Sequence, residues 1–483
     1  MLNSSRSWLL PIAVAVTSLL VVWAILLASQ AMAHSFSILI YLLVNSIFFL
    51  DFFDFGFRLY FRRINGTGSG GAQHLSSTSV SLDLGEYTRY HKRLHLRPYA
   101  LVVSVHNAED YLDDFLEAME PYRDRLWIID DGSTDSTCIR IRQAGWRCVE
   151  GGRNRKKPGA IEILLNGLPA RIETVLVIDP DITIRNSQAD ELSDLEAVIS
   201  DFQRSGMAAL CPRIAIERDG LLARFQALEY AMSFSLGRQS LGDCSLTSGI
   251  ALYRRSALAY ALKEHSLSVY AEDLENSVIL LGRGERIYYD GRLVVNTEGK
   301  RSWRGWFSQR VGWSYGLIKV YLGRLGEIRR IARRRFSAGY QFLIYMGGIS
   351  LLLQPLRLVA SVLLAASFAR GVDSLLGLGW IPEWQITDPV YFVAALVKYT
   401  LLTLIALGTA VPRGERLYVL PMVPLYFFYA LAQILPTSVG YANWFTLGCW
   451  GRRLVRDHYQ DEESLVRDHQ GSQPVVSVRT CDA

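Results

Sequence analysis

Long apolar stretches lie at both ends of the chain, and shorter apolar runs alternate with polar segments between them. Near the N-terminus, residues 8–29 and about 36–57 are each long enough to cross a bilayer as a helix, which takes about 20 residues. The C-terminal third holds candidate spans at about 341–368, 389–411 and 416–436, with a further semi-apolar piece at 437–450. This pattern predicts a chain that is partly embedded in a membrane.

Charged residues beside the apolar stretches predict their orientation. Asp51 and Asp54 interrupt the second stretch, and a group of arginines begins directly afterwards at Arg58, whereas the short connection at 29–34 has no Lys or Arg. A basic run, RLGEIRRIARRR at 324–335, precedes the first C-terminal stretch. Because arginines beside membrane spans favour the cytosolic side, near anionic lipid, we expect an integral protein of the plasma or inner membrane with residues 60–335 in the cytosol.

The membrane segments leave two alternatives open. Ala31-Met32-Ala33 resembles a signal-peptidase site, so the first apolar stretch could be a signal peptide, although it is long for one and a second span follows at once. Three C-terminal spans from a cytosolic start would place the tail outside, whereas Arg452 and Arg453 indicate a cytosolic C-terminus. Either 437–450 is re-entrant or 341–368 is partly interfacial.

In the middle of the chain the apolar runs alternate between strand-like and helix-like spacing. The predicted strands are Tyr99–Val105, Leu126–Ile129 and Thr174–Ile178, and the predicted helices are Ala108–Met119, Asp135–Ala144 and Ala160–Leu168. Such alternation is typical of an α/β fold with a parallel, doubly wound sheet. We expect membrane helices at 1–60, a Gly/Ser/Thr-rich linker at 61–96, the α/β domain at 97–299, interfacial amphipathic helices at 300–340, membrane helices at 341–453 and a polar tail at 454–483.

Composition agrees with a chain that is part soluble and part embedded. Half of its 483 residues are hydrophobic, and the formal net charge of +5 is modest, so the basic runs favour a lipid surface and we expect no nucleic-acid partner. The six cysteines have no metal-ligand spacing and form no paired framework, which favours a reducing compartment for the central region.

Three acidic clusters give the middle region its chemistry. Asp130-Asp131 and Asp179-Pro180-Asp181 each close a run of apolar β-formers, and Glu272-Asp273 follows further along the chain. Ligands of open α/β sheets collect at the carboxyl ends of the strands. Carboxylates gathered there can hold a divalent metal ion and, through it, a diphosphate. The ordinary alternatives are a solvated turn with a helix cap and a plain acidic first turn of a helix.

These clusters, with Gln309-Arg310-Val311-Gly312-Trp313 beyond them, resemble the membrane-integrated family-2 glycosyltransferases, which include hyaluronan, chitin and cellulose synthases and the ceramide glucosyltransferases. The resemblance covers roughly residues 97–320. It implies a GT-A (Rossmann-like) cytosolic domain inserted between transmembrane helices. It also implies a nucleotide-sugar donor, Mg²⁺ or Mn²⁺ as cofactor, and inversion at the anomeric carbon.

The resemblance also implies roles for individual residues. On the donor side, Asp131 would accept a hydrogen bond from the uracil ring with Asp130 beside it, Lys157 would meet the phosphates, Asp181 would bind the metal, and Asp179 would contact ribose or metal. Lys157 lies in a segment that matches the family loosely, and a solvated basic loop is its ordinary alternative.

On the acceptor side, Asp273 would be the catalytic base, with Glu272 beside it. Gly249, in Thr247-Ser248-Gly249, would line the acceptor site; its ordinary alternative is a glycine turn before a strand. Gln309, Arg310 and Trp313 would lie at the acceptor end. Gly312 stands where the family has Arg, so a phosphate contact is missing there, which Arg310 or Arg304 would have to replace.

We therefore expect an inverting hexosyltransferase, similar to the polysaccharide synthases, that takes a UDP-sugar from the cytosol and elongates a polysaccharide, passing the product through its own spans. One alternative is the transfer of a single sugar to a lipid-linked acceptor. Another is a catalytically weak membrane scaffold or sugar-binding subunit, which only Gly312 favours. The sequence does not identify the sugar, the linkage or the oligomeric state.

Overall fold

The computed structural model describes residues 50–65, 96–185, 193–217, 220–381 and 388–455. The predicted span at 8–29, the possible signal-peptidase site at 31–33, nearly all of the predicted linker and most of the polar tail lie outside the described residues.

An eight-stranded sheet forms the centre of the α/β domain, in the strand order β3-β2-β1-β4-β7-β6-β8-β5. The strands are β1 Tyr99–Val105, β2 Leu126–Asp130, β3 Cys148–Glu150, β4 Thr174–Ile178, β5 Ile182–Arg185, β6 Ala209–Ile216, β7 Ala251–Arg254 and β8 Ile287–Thr297. All three strands predicted from the sequence are present, and the α/β fold is confirmed.

The sheet is mixed, so the prediction of a parallel sheet is right for one half and wrong for the other. Strands β1 to β4 are parallel, whereas β7 runs antiparallel to both β4 and β6. The reason lies at Gly249, which precedes β7 and contacts Asp179, just past the end of β4. Because the chain enters β7 at the carboxyl end of β4, it must run back in the opposite direction.

The described helices of the α/β domain lie on both faces of the sheet. They are α2 Leu112–Met119, α3 Thr137–Gln143, α4 Lys156–Gly167, α5 Ser193–Ser205, α6 Gly220–Ala231, α7 Arg255–Glu264 and α8 Glu272–Gly282, while α1 is the helix described at 50–65. Helix α6 continues as a π-helical segment, Met232–Arg238. Helix α2 begins four residues later than predicted because residues 108–111 form a turn, which the hydrogen bond from the Tyr111 N–H to the Ala108 carbonyl oxygen closes at 3.1 Å.

The hydrophobic core has two halves, one on each face of the sheet. In β1, Ala100 and Val102 face α4, α7 and α8, while Leu101 and Val103 face α2, α3 and α5. This alternation follows from the two-residue repeat of a strand, and it holds the carboxyl ends of β1, β2 and β4 side by side.

Beyond the sheet, the chain continues in helices. They are α9 Trp303–Gly323, α10 Leu325–Ala332, α11 Phe336–Gly339 with a π-helical continuation at Tyr340–Leu352, α12 Gln354–Leu376, α13 Pro389–Thr409, α14 Arg416–Val419 and α15 Tyr426–Trp450. Helix α9 packs closely against α15, since a Cβ on Gly440 would lie 2.8 Å from the carbonyl oxygen of Val311. The region 300–340, predicted to hold interfacial amphipathic helices, contains α9 and α10, and their contact with a membrane surface stays a prediction.

Within the described ranges, α12 and α13 are long and apolar enough to cross a membrane. The bent pair Arg413–Met422 and Tyr426–Trp450, which meet at 79°, forms a further broken span or a re-entrant loop. The predicted segment at 341–368 is divided at Leu353, before Gln354-Pro355 starts α12. The predicted boundary at 436/437 is wrong, because α15 continues through Pro436 and the bend lies before Tyr426.

A charged contact joins α1 to the apolar helices. The Tyr399 hydroxyl donates a hydrogen bond to an Asp51 carboxylate oxygen at 2.6 Å, and the guanidinium of Arg357 lies 3.5 Å from the other oxygen. Asp51 therefore contacts both α12 and α13.

Candidate active site

The first two acidic clusters lie next to each other at the carboxyl edge of the sheet. Asp130 ends β2 and pairs in register with Val105 of β1, while Ile178, the last residue of β4, pairs with Val103. The acids that follow these strands therefore reach the same edge, as the sequence predicts for strand-end ligands.

Asp131 is built into the turn after β2. Its carboxylate accepts a hydrogen bond from the backbone N–H of Arg155 at 2.8 Å, and burial raises its pKa. Gly132 has φ +73°, and a Cβ there would lie 2.6 Å from the Arg153 backbone, so the turn requires glycine. Asp130 is also buried and accepts a 3.4 Å hydrogen bond from the Ser133 N–H.

Lys157 connects the second acidic cluster to the third. Its ammonium forms an ion pair with Asp179, donates to the Gly249 carbonyl oxygen at 2.7 Å and lies 3.8 Å from a Glu272 carboxylate oxygen. Burial opposes the charge of Lys157, but the carboxylates of Asp179 and Glu272 raise its pKa. Although 115 residues separate Lys157 from Glu272 in sequence, the fold brings them into one site.

The ion pair of Lys157 with Asp179 fits against Gly249 because Gly249 has no side chain. A Cβ at this position would lie 2.8 Å from an Asp179 carboxylate oxygen and 3.3 Å from the Lys157 ammonium nitrogen. Any larger residue would displace the ion pair. Gly249 thus lies at the acidic site, and its predicted contact with an acceptor stays a prediction.

Glu272 and Asp273, the acid pair, begin α8 and line the same cleft as Lys157 and Gly249. Burial raises the pKa of Glu272 to about 8; Lys157 opposes this shift, while the charge of Asp273 adds to it. Burial also raises the pKa of Asp273, which the Arg238 guanidinium opposes.

Asp181 is exposed, although neighbouring protein atoms exclude part of its water. This desolvation and the charge of Asp179 raise the pKa of Asp181 to about 6. Two carboxylates that repel each other favour a cation between or beside them. Mg²⁺ in particular binds one or two carboxylates and completes its shell with phosphate and water, so Asp179 and Asp181 fit such an ion. Across the described ranges, no group of three or more His, Cys, Asp or Glu side chains is placed to hold a metal ion. An ion at Asp179 and Asp181 would therefore need phosphate and water as further ligands.

Sequence reasoning missed Lys300 and Arg238. The Lys300 ammonium lowers the pKa of Asp181, and the Gln226 amide holds the Lys300 backbone by two hydrogen bonds of 3.0 Å. Lys300 follows the end of β8, where the Thr297 hydroxyl donates a hydrogen bond to an Asp181 carboxylate oxygen at 3.4 Å, and this proximity to Asp181 arises only from the fold. Arg238, which faces Asp273, lies in a π-helical segment that no spacing rule predicts.

The predicted acceptor residues of α9 lie in different surroundings. Arg310 is buried in an ion pair with Glu229 of α6 at 2.8 Å and donates to the Gln309 side chain at 2.7 Å. Its guanidinium also lies 4.0 Å from the ring centre of Trp313, which is 38% exposed. Arg310 therefore anchors α9, and contact of Gln309, Arg310 or Trp313 with an acceptor stays a prediction.

Glu229 extends this ion pair into a network that joins three helices. The Tyr429 hydroxyl donates to Glu229 at 2.5 Å, and the Trp306 indole N–H donates to the Tyr429 oxygen at 2.8 Å. The network connects α6, α9 and α15. Tyr230, next to Glu229, lies within the electrostatic influence of both Arg310 and Asp181. Burial raises the pKa of Tyr230 to about 12; the charge of Arg310 opposes this shift, and the charge of Asp181 adds to it.

Replacing Glu229 by Gln should destabilise the protein strongly. The change leaves the Arg310 guanidinium buried without its carboxylate, which costs about 3–5 kcal/mol. We expect the thermal unfolding midpoint of the full chain in detergent to fall by about 5 °C or more. Glu298→Gln is the matched control, because Glu298 pairs with Arg301 at the surface and exposed pairs contribute about 1 kcal/mol or less. Equal midpoints for the two variants would contradict the burial argument.

The fold is an α/β domain with a cleft of charged residues at the carboxyl edge of its sheet. Residues 100–260 match the sequence model of the family described as Glycosyl transferase family 2. This segment, which is about a third of the chain, is thus similar to the domains of that family. It contains Asp131, Lys157, Asp181 and Gly249, and it ends before the acid pair. No curated protein sequence matches the chain.

Several solved structures have a similar fold. The mannosyltransferase PcManGT from Pyrobaculum calidifontis, in complex with GDP-Man and Mn²⁺, is 15% identical, covers 74% of this chain and 92% of its own, and gives a TM-score of 0.46. Glucosyl-3-phosphoglycerate synthase from Mycobacterium tuberculosis, with Mn²⁺, UDP and glucosyl-3-phosphoglycerate, is 18% identical, covers 51% and 85%, and scores 0.31. GalNAc-T7 with UDP, GalNAc and Mn²⁺ is 13% identical, covers 42% and 44%, and scores 0.32.

Proposed function

We propose that this protein is a membrane-embedded, inverting glycosyltransferase that uses a UDP-sugar to elongate a polysaccharide from the cytosolic side. One observation supports the proposal most strongly. Asp179 and Glu272, which come from distant parts of the sequence, meet at the Lys157 ammonium in one cleft. A cation between carboxylates at the carboxyl edge of an α/β sheet is suited to a ligand with a diphosphate.

The donor would lie across the ends of β1, β2 and β4. Asp131 would accept a hydrogen bond from the uracil ring, in a turn that the Arg155 N–H already holds in place. Lys157 and Lys300 would face the diphosphate. Asp181 would bind Mg²⁺ or Mn²⁺, with Asp179 beside it, and the bound ion would neutralise charge that develops on the leaving nucleotide.

The acid pair would supply the base. In an inverting transfer, the acceptor hydroxyl oxygen attacks the anomeric carbon while the bond from that carbon to the diphosphate oxygen breaks. The hydroxyl proton passes to a carboxylate, for which we propose Asp273. Burial raises the pKa of both members of the pair, and a carboxylate with a raised pKa takes up a proton more readily.

The acceptor would reach the cleft past Gly249 and α9. Trp313 has an exposed ring on which a sugar could stack, with Gln309 and Arg310 beside it. The membrane placement rests on α12 and α13, whose length and apolar composition suit a bilayer. A lipid-linked acceptor would use the same cleft, so the size of the product must distinguish the two.

Turnover of a panel of radiolabelled UDP- and GDP-sugars by membranes that carry the full chain tests the proposal. With Mn²⁺ or Mg²⁺, we expect one UDP-sugar to give a polymer of high molecular mass. A short product that organic solvent extracts would instead indicate transfer to a lipid. The absence of any product, with donor binding intact, would contradict the enzyme proposal and favour a sugar-binding scaffold.

A further inference from the structure

The turn that leads into the acid pair has an unusual backbone. Leu267 (φ 54°) and Ala271 (φ 55°) are both in the left-handed region although neither is glycine. Between them, Tyr270 is fully buried. Such conformations persist only where surrounding structure determines them. The direction in which Glu272 and Asp273 leave this turn therefore depends on whatever packs against it.

One face of α9 packs against the turn. A Cβ on Gly316 would lie 2.8 Å from the Cβ of Ala271 and 3.0 Å from its backbone nitrogen. Next to Gly316, the Tyr315 ring meets Tyr270 edge-on at 4.9 Å. One helical turn further, the Lys319 ammonium donates to the Ser268 hydroxyl at 3.0 Å. The missing side chain at Gly316 is thus what lets α9 approach the left-handed Ala271.

The residue that follows α9 fixes the start of the same turn. The Arg324 guanidinium donates to a Glu275 carboxylate oxygen at 2.7 Å, and Glu275 accepts from the Ser266 hydroxyl at 2.5 Å. His265, which accepts from the Leu267 N–H at 2.8 Å, lies 3.3 Å from the Glu272 carbonyl oxygen. These polar contacts hold the start of the turn against the first residues of α8.

The opposite side of α9 contacts α15 and the segment beyond it. Gly440 of α15 lies against Ser314, where a Cβ would come within 2.7 Å of the serine Cβ. After α15, the Arg453 guanidinium lies 5.0 Å from the Tyr270 ring centre and 4.4 Å from that of Tyr315. Helix α9 therefore lies between α15 and the turn before the acid pair, and Arg453 also reaches Tyr270 of the turn directly.

We propose that α9 is the positioning element of the acid pair and that it acts through the contact of Gly316 with the left-handed Ala271. This inference rests on the proposed function, since it assigns α9 a role in aiming Asp273 at the acceptor. Displacement of a reacting group by about 1 Å can reduce turnover by about 100-fold. A methyl group at Gly316 would displace Ala271, the residue directly before Glu272.

The test substitutes Gly316→Ala in the full chain in detergent or membranes. We expect kcat for the active donor to fall by about 10- to 100-fold, while Kd for UDP or GDP with Mn²⁺, measured by titration calorimetry, stays within about twofold. Gly323→Ala is the matched control in the same helix, because a Cβ there meets nothing within 4 Å. The control should keep the wild-type kcat.

A double substitution makes the contact itself testable. Ala271→Gly removes the methyl group that the new one would meet and suits a positive φ, so Gly316→Ala with Ala271→Gly should recover part of the lost kcat. A wild-type kcat for Gly316→Ala would overturn the inference. So would a joint loss of kcat, nucleotide binding and thermal stability that the double substitution does not reverse. An inert wild-type chain would instead refute the proposed function, and this inference with it.

Discussion

Replacing Asp273 by Asn should abolish sugar transfer while nucleotide binding is kept. The amide has nearly the shape of the carboxylate but cannot take the acceptor proton, and loss of a general base lowers turnover by about 100- to 10,000-fold. Nucleotide affinity should change little, because Asp273 lies at the start of α8 and the proposed nucleotide site lies at the ends of β1, β2 and β4. Initial rates with the active donor, beside Kd for its nucleoside diphosphate with Mn²⁺, measure both effects.

Asp114→Asn is the control for this prediction, since Asp114 is an exposed acid on α2 of the same domain. It should behave as wild type. If Glu272→Gln abolished transfer while Asp273→Asn retained it, the assignment of the base to Asp273 would be wrong. If both variants kept the wild-type rate, the acid pair would have no part in catalysis.

Replacing Asp181 by Asn should remove the contribution of the metal ion to nucleotide binding. The neutral amide is a poor ligand for Mg²⁺ or Mn²⁺, which prefer carboxylate oxygens. We expect Kd for UDP with Mn²⁺ to rise by about 100-fold, equivalent to about 2.8 kcal/mol. Turnover at a fixed donor concentration should fall by at least as much, because the ion also stabilises the leaving diphosphate.

Binding of UDP in the presence of a chelator separates this effect from damage to the fold. Without metal, wild type and Asp181→Asn should bind UDP equally weakly. Manganese titrated alone and followed by electron paramagnetic resonance should bind to wild type more tightly than to the variant. Equal strengthening of UDP binding by Mn²⁺ in both proteins would rule out Asp181 as a ligand.

The parts of the fold that local sequence determines could be predicted. Strands β1 and β4 have the predicted bounds because apolar runs of five to seven residues end at polar turn residues. The acids at the ends of β2 and β4 reach the same edge because both strands run parallel to β1, one on each side of it. The antiparallel direction of β7 could not be predicted. It depends on where the chain enters the sheet at Gly249, and the sequence of a short strand carries no signal of its direction.

Long-range partners explain most of what the sequence left undecided in the site. Lys157 could be identified as a basic residue beside a helix start, but its contacts with Asp179 and Glu272 depend on tertiary packing. Arg310 has the appearance of a ligand-binding residue in sequence, and only the structure reveals its buried pairing with Glu229, 81 residues away. The left-handed Ala271 has no local signal, since alanine normally avoids this conformation.

A structure of the full-length Asp273→Asn variant with an intact UDP-sugar and Mn²⁺ tests the central claim most directly, because the variant should bind the donor without consuming it. We predict the uracil ring beside Asp131, Mn²⁺ bound by Asp181 and the diphosphate, and the anomeric carbon facing residue 273 across the cleft. A donor bound elsewhere, or one whose anomeric carbon faces away from the acid pair, would contradict the proposal that this cleft transfers sugar.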